Sequence, residues 1–272
     1  MQSNLLEQTV ADVLREALSA TDAALYVVNP SEATVEELVH VMAGLESPPT
    51  VNVLAAERTL KDVMGDFKLA STAADLRDDG SLAMRTYESD DNTLLVTEGS
   101  VVAVVAAGDR VAGLATDDAE FIEGAHAQYT DTWETAQEFS LRTPAISTVR
   151  TTLEEDLGPD AADDFDAVLG SLQTARGNGD GLDEVTISLL VAAKNEELLY
   201  DISKWGEDVG IASKATFSRT KTKLEDLGLI VTEKVPIDVG RPRLRLMLGD
   251  DRLKGADAEQ LTSVAQSILA SH

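Results

Sequence analysis

The 272-residue chain sets 49 Asp and Glu against 22 Lys and Arg, a formal net charge of −27, with 43% hydrophobic residues and no cysteine. That length and apolar content predict a folded protein of two units, and the lack of cysteine excludes disulfides and thiolate metal sites. The amphipathic, acidic N-terminus is wrong for a secretory signal, and no apolar run reaches the roughly 18–20 residues of a membrane span, so a cytoplasmic protein without membrane contact is expected.

Leu5, Leu6, Val10, Val13, Leu14 and Leu18 recur at helical spacing and predict an opening amphipathic helix. Ala24–Val28 reads as a short buried strand closed by Asn29-Pro30. Ser31 then caps a helix with Val35, Leu38, Val39 and Met42 on one face. Pro48-Pro49 precedes a second strand, Thr50–Ala55, and helical stretches follow around Thr59–Met64 and Leu69–Leu76. Four apolar segments come next: Ala83–Tyr87, Thr93–Thr97, Ser100–Ala106 and Val111–Ala115. Asp90-Asp91, Glu98-Gly99 and Gly108-Asp109 separate them, which predicts turns between antiparallel neighbours. Asp117-Asp118 opens a long helix carrying Phe121, Ile122, Ala125, Tyr129, Trp133 and Ala136.

Pro144 ends this α/β unit, assigned to residues 1–143, and a helical connector with Phe165, Val168, Leu169 and Leu172 follows. The run Arg176-Gly-Asn-Gly-Asp-Gly181 reads as a flexible linker and places the domain boundary, so the connector and linker span 144–181. Beyond it, over 182–250, the order is helix (Val185–Ala193), helix (Leu199, Ile202, Trp205, Val209), turn at Gly210, helix (Lys214–Leu227) and hairpin (Leu229–Lys234, Arg243–Leu248). This is the layout of a winged helix-turn-helix. In 251–272 a last helix, Asp257–Ala270, aligns Leu261, Val264, Ile268 and Leu269 for packing on its own domain or on a second subunit.

Against the acidic whole, residues Ser213 to Arg245 hold eight cations and four carboxylates. A cationic patch kept on one segment of such a chain points to DNA. Rotation at helical pitch gathers Phe217, Thr220, Leu224 and Leu227 on one side of the third helix. The opposite side presents Ala215, Ser218, Arg219 and Thr222, flanked by Lys214 and Lys223. Small polar residues allow close approach to the major groove, and Arg219 is the candidate base reader. Ser213, Lys214 and Lys223 are candidate backbone contacts. On the wing Arg241, Arg243 and Arg245 alternate, so that Arg243 and Arg245 share one strand face suited to phosphates. The competing reading is a winged helix that binds another protein, its basic residues merely solvated.

The acids are spread through the chain, and Arg outnumbers Lys. Two readings fit: a molar-salt cytoplasm, where a carboxylate surface stays hydrated, or an ordinary acidic interaction face. In molar salt counterion release drives binding weakly, so shape fit and two half-sites engaged by a homodimer are expected.

The segment LLYDISKWGEDVGIASKATFSRTKTKLEDLGLI resembles the winged helix of haloarchaeal transcription regulators, and nearly the whole chain is similar to the TbsP family, the TrmB-suppressor regulators of halophilic archaea. NTLLVTEGSVVAVVAA…VAGLATDDAEFIEGAHAQYTDTWETA is similar to the end of TrmB-like effector domains, which resemble the phospholipase D fold. The resemblance implies an α/β effector domain with a mixed sheet ahead of the winged helix. It also implies control of sugar-metabolism genes such as those of gluconeogenesis, and a sugar or sugar-phosphate effector. TrmB-type proteins carry the DNA-binding domain first, whereas here it comes second, and no sugar-binding residue is carried over. A phospholipase-D-type enzyme needs a lysine two residues after its nucleophilic histidine, but Met42 and Gln128 stand there after His40 and His126. Phosphate-loop, nucleophile-elbow and dinucleotide motifs are also missing, so no enzyme activity, cofactor or metal is expected.

Overall fold

The computed structural model describes residues 4–5, 9–21, 23–90, 92–107, 110–176, 182–236 and 242–271. They fall into two compact units, one of Met1–Gly65 and Thr72–Leu141, the other of Asp66–Ser71 and Arg142–His272.

The first unit contains β1 (Asn4–Leu5), α1 (Val10–Ser19), β2 (Leu25–Val28), α2 (Glu32–Ala43), β3 (Val51–Ala55) and α3 (Glu57–Val63). These are followed by α4 (Phe67–Asp78, whose first turn counts with the second unit), β4 (Leu82–Thr86), β5 (Leu94–Thr97), β6 (Ser100–Ala107), β7 (Arg110–Thr116), α5 (Ala119–Thr135) and β8 (Gln137–Glu138). The strands form one mixed sheet in the order β1-β7-β6-β5-β2-β3-β4-β8. β2, β3 and β4 run parallel, and every other pairing is antiparallel. Leu25–Val28 is buried at each position, as a central strand covered on both faces requires. Ser31 caps α2 by accepting the Thr34 N–H, and Asp118 caps α5 by accepting the Phe121 N–H. α5 lays Ile122 and Tyr129 over Tyr26, Val28, Leu54, Val96 and Val101. His126 of α5 meets Tyr26 edge-on, ring centroids 5.8 Å apart.

Two expectations for this unit change. Leu5 belongs not to the first helix but to β1, which pairs with β7. The helix starts only at Val10, where Thr9 Oγ1 accepts the Asp12 N–H. The segment after β4 is not a hairpin turn. α3 and α4 carry the chain across from β3, so β4 returns parallel beside β3, and both β3 and β2 lie between it and β5.

The second unit contains α6 (Ile146–Leu157), α7 (Pro159–Ser171), α8 (Glu184–Lys194), α9 (Leu199–Val209), α10 (Lys214–Asp226), β9 (Ile230–Val235), β10 (Arg243–Leu248) and α11 (Ala258–Leu269). Gly158 at φ 95° and Pro159 at the first helical position separate α6 from α7. Val149, Leu153, Phe165 and Val168 share one core with α8, α9 and α10, so the residues read as a connector pack with the winged helix. Phe165 sits edge-on between Phe67 and Trp205, centroids 6.4 Å away in each case. Trp205 Nε1–H donates to Thr152 Oγ1 at 3.0 Å, fixing α9 on α6. Every residue from Val185 to Ala193 is buried, which makes α8 the central strut. The glycine run 177–181 lies outside the described residues. Of its two possible partners, the stripe of α11 takes the intramolecular one: Leu261, Ala265, Ile268 and Leu269 are buried, and Thr262 Oγ1 meets Ser171 Oγ of α7 at 2.7 Å. Among the described residues no helix is long and apolar enough to cross a membrane.

Candidate nucleic-acid interface

The helix-turn-helix is made by local chemistry. Gly210, in the left-handed region at φ 92°, ends α9, and the N–H groups of Ile211 and Ala212 fold back onto Gly206 O at 2.8 and 3.2 Å. Ser213 Oγ accepts the Thr216 N–H at 3.2 Å and starts α10. Phe217, 0% exposed, is seated directly on Gly206, where any Cβ would lie 2.3 Å from its ring. At the other end Gly228 at φ 72° reverses the chain into β9. The hairpin pairs Arg243 with Val235 through Leu248 with Ile230. Leu198, ahead of α9, bridges Arg245, and the Leu246 N–H donates to Glu197 O at 2.8 Å, so the wing is stitched to the entrance of α9.

α10 presents the predicted faces. Phe217 and Leu224 are buried and Thr220 and Leu227 half-buried, while Ser213, Lys214, Ala215, Ser218, Arg219, Thr222 and Lys223 are exposed. Arg243 and Arg245, two residues apart on β10, are half-buried. Arg241 lies outside the described residues.

The electrostatics are less open than the sequence suggests. Lys214 Nζ bonds Glu207 at 2.7 Å, and Lys214, through that side-chain bond first and its backbone N–H second, holds the Glu207 carboxyl below the usual carboxylate range. Arg243 reaches Asp201 at 3.3 Å and stacks over the Tyr200 ring, 4.1 Å to the centroid. Arg245 stands 3.8 Å from Glu233, its cross-strand partner. Lys221 is turned inward onto Glu225, which also accepts from Thr232 Oγ1 at 2.7 Å. Among the described residues, by contrast, Arg219 bonds only the Thr216 hydroxyl, at 3.3 Å, and Arg219, Lys223 and Lys234 have no carboxylate partner.

Sequence reasoning missed Tyr200, Asp201 and Glu207. Tyr200 lies off the stripe of Leu199, Ile202, Trp205 and Val209, a signal that an aromatic side chain stays exposed; it is 47% exposed beside Lys214, Ser218 and Arg243 in one open groove. The two acids gave no signal: Arg243 is 42 residues from Asp201, and Lys214, though only seven from Glu207, lies across the turn at Gly210. Among the described residues no three His, Cys, Asp or Glu are grouped to hold a metal ion.

Family models match both units: the N-terminal domain of TbsP-like transcriptional regulators over residues 2–144 and their C-terminal HTH domain over residues 145–266. The chain belongs to the TbsP-like transcriptional regulators. The HTH model therefore takes in α6 and α7 together with α8 to α10, the same helices that share one core. A search of curated proteins returns no match. Among solved structures, TrmBL2, described as an archaeal chromatin protein with a novel mode of DNA binding, is similar at 12% identity and a TM-score of 0.36, over 51% of this chain and 54% of that one. This chain thus spans about half the length of that structure. Nuc, a phospholipase D family member from Salmonella typhimurium, is similar at 11% identity and a TM-score of 0.33, over 50% of this chain and 95% of that one. Likenesses at these scores assign neither fold nor function.

Proposed function

We propose that this TbsP-like regulator reads double-stranded promoter DNA in a sequence-specific way, with α10 in the major groove and the wing on the flanking backbone. The observation that carries the reading is Arg219: an exposed guanidinium with no acid partner among the described residues, in the middle of the small polar face Ala215, Ser218 and Thr222, on a chain of net charge −27. Such a face suits close approach and bidentate contact with guanine. The regulator acts without catalysis in the salt-rich cytoplasm of a halophilic archaeon, for which the dispersed carboxylates speak. Control of sugar-metabolism genes rests on the family resemblance alone, as does the phospholipase-D-like character of the first unit.

An effector site in the first unit is supported by a cleft of about 490 Å³ lined by Thr21, Thr97, Glu98, Ser100, Thr116 and Asp117. Hydroxyls and carboxylates there suit the hydroxyls of a neutral sugar better than a phosphate. Homodimerisation is supported by Val105, Leu114 and Phe121, 41, 47 and 57% exposed. The β6–β7 register puts Val105 and Leu114 on the sheet face that α5 covers at Val101, exposed apolar side chains on which two acidic copies can meet.

Gel shifts with genomic fragments in molar KCl, comparing the chain with Arg219→Ala and Arg243→Ala, test the reading. Specific retention of some fragments is expected, lost with Arg219→Ala and weakened with Arg243→Ala. Retention of no specific fragment at any salt concentration overturns it in favour of a protein-binding winged helix.

A further inference from the structure

Three carboxylates stand on the cations of the proposed DNA surface. Asp201 and Glu207 of α9 hold Arg243 and Lys214, and Glu233 of β9 faces Arg245. The six side chains are 36 to 58% exposed, so incoming phosphates can reach them. Exposed pairs of this kind are worth little and exchange readily. Each joins separate elements: α9 to β10, α9 to α10, and β9 to β10. Arg219 and Lys223 have no such partner among the described residues, and Lys234, also unpaired, lies with Leu244 on the other face of the hairpin. The surface is therefore divided into cations neutralised in advance and cations left free.

We propose that Asp201, Glu207 and Glu233 are resident counterions of the DNA-binding surface, so that binding exchanges carboxylate for phosphate at Arg243, Lys214 and Arg245, and each freed acid takes up a cation from solution. The inference rests on the DNA-binding reading above and adds how that surface responds to salt. A free cation that neutralises a phosphate releases one condensed counterion. A paired cation releases one as well, but its freed carboxylate captures another, and the net release is close to zero. With the two free cations of that surface among the described residues the slope of log K against log [KCl] is about −2, whereas all five acting freely would give about −4 to −5. Affinity then survives high salt.

The test is fluorescence anisotropy of the full chain with a duplex retained in the gel shifts, across KCl from about 0.2 to 2 M. The variant Asp201→Asn/Glu207→Gln/Glu233→Gln is compared with Asp163→Asn/Asp251→Asn/Glu259→Gln, which makes the same charge change at exposed positions of α7, the segment after β10 and α11. The interface variant should steepen the slope by about two to three and bind about tenfold tighter at the low-salt end, while the control keeps the wild-type slope. Glu233→Gln alone, on the exposed hairpin, should steepen it by about one and reports even if the triple variant folds poorly. Equal slopes for wild type and both interface variants overturn the inference, as does equal steepening by the control. If the wild-type chain binds no duplex at any salt, the DNA-binding reading itself falls; binding with unchanged slopes removes only the counterion exchange.

Discussion

Gly206→Ala is the sharpest probe of how the recognition helix is seated. A Cβ at this position would stand 2.3 Å from Cζ and 2.4 Å from Cε2 of Phe217, well inside the roughly 3.5–4.0 Å at which carbons pack. Phe217 is 0% exposed in the shared core, so its ring has no free space to enter, and α9 and α10 must separate. Overpacking of this kind costs about 2–3 kcal/mol, while the better helix propensity of alanine returns about 1 kcal/mol. The net loss is about 1–2 kcal/mol, which lowers Tm by about 3–8 °C for a unit of this size. Urea unfolding followed by circular dichroism measures the loss, and anisotropy measures the weaker DNA binding that accompanies a displaced α10. Phe217→Leu alone leaves a cavity worth about 1–2 kcal/mol, but combined with Gly206→Ala it makes room for the methyl group. The double variant should therefore lose less than the sum of the singles. A Gly206→Ala variant that is more stable than wild type, through propensity alone, would refute the close approach of the two helices.

Ser213→Ala removes the side-chain acceptor of the Thr216 N–H and should cost about 1 kcal/mol in urea unfolding, with a proportionate loss of DNA affinity; an unchanged midpoint would contradict the cap. Arg252 bonds Asp250 through its side chain and its backbone N–H and lowers the Asp250 pKa from 3.8 to about 2. Because the folded-state value is the depressed one, this pair contributes stability above about pH 3.8 that is lost as pH falls towards 2. Asp250→Asn should flatten the decline in stability across that window, and a parallel decline for both proteins would count against the pair.

The helix-turn-helix was legible because its signals are local. Gly210, Ser213 and Gly228 punctuate it, and the rotation of Phe217 and Leu224 away from Ser218, Arg219 and Thr222 follows from helical pitch alone. The central strands declared themselves by continuous apolar runs such as Leu25–Val28. What escaped was decided by partners distant in the chain. The pairing of Asn4 and Leu5 with β7 carries no local mark, nor does the passage of the chain past β3 and β2 between β4 and β5. The glycines at 177–181 read as a boundary, yet Val149, Leu153 and Phe165 of α6 and α7 before them belong to the same core as Trp205, a contact without local mark. Within the site the cations could be counted from sequence, but not the carboxylates on them. Glu207 and Lys214 meet only because Gly210 turns α10 back along α9, and Asp201 meets Arg243 only because the wing is stitched to Leu198.

On α10 the residues that hold the helix and the residues that face outward do not overlap: Phe217 and Leu224 are interred, while Ala215, Ser218, Arg219 and Thr222 touch nothing the core needs. Substitutions at these four outward positions are therefore close to free in stability. On the proposed reading of DNA by α10, a lineage can change them one at a time and acquire new operators without passing through unfolded intermediates. For the same reason, grafting another regulator's residues onto these positions should redirect the protein to a different promoter while leaving its fold intact.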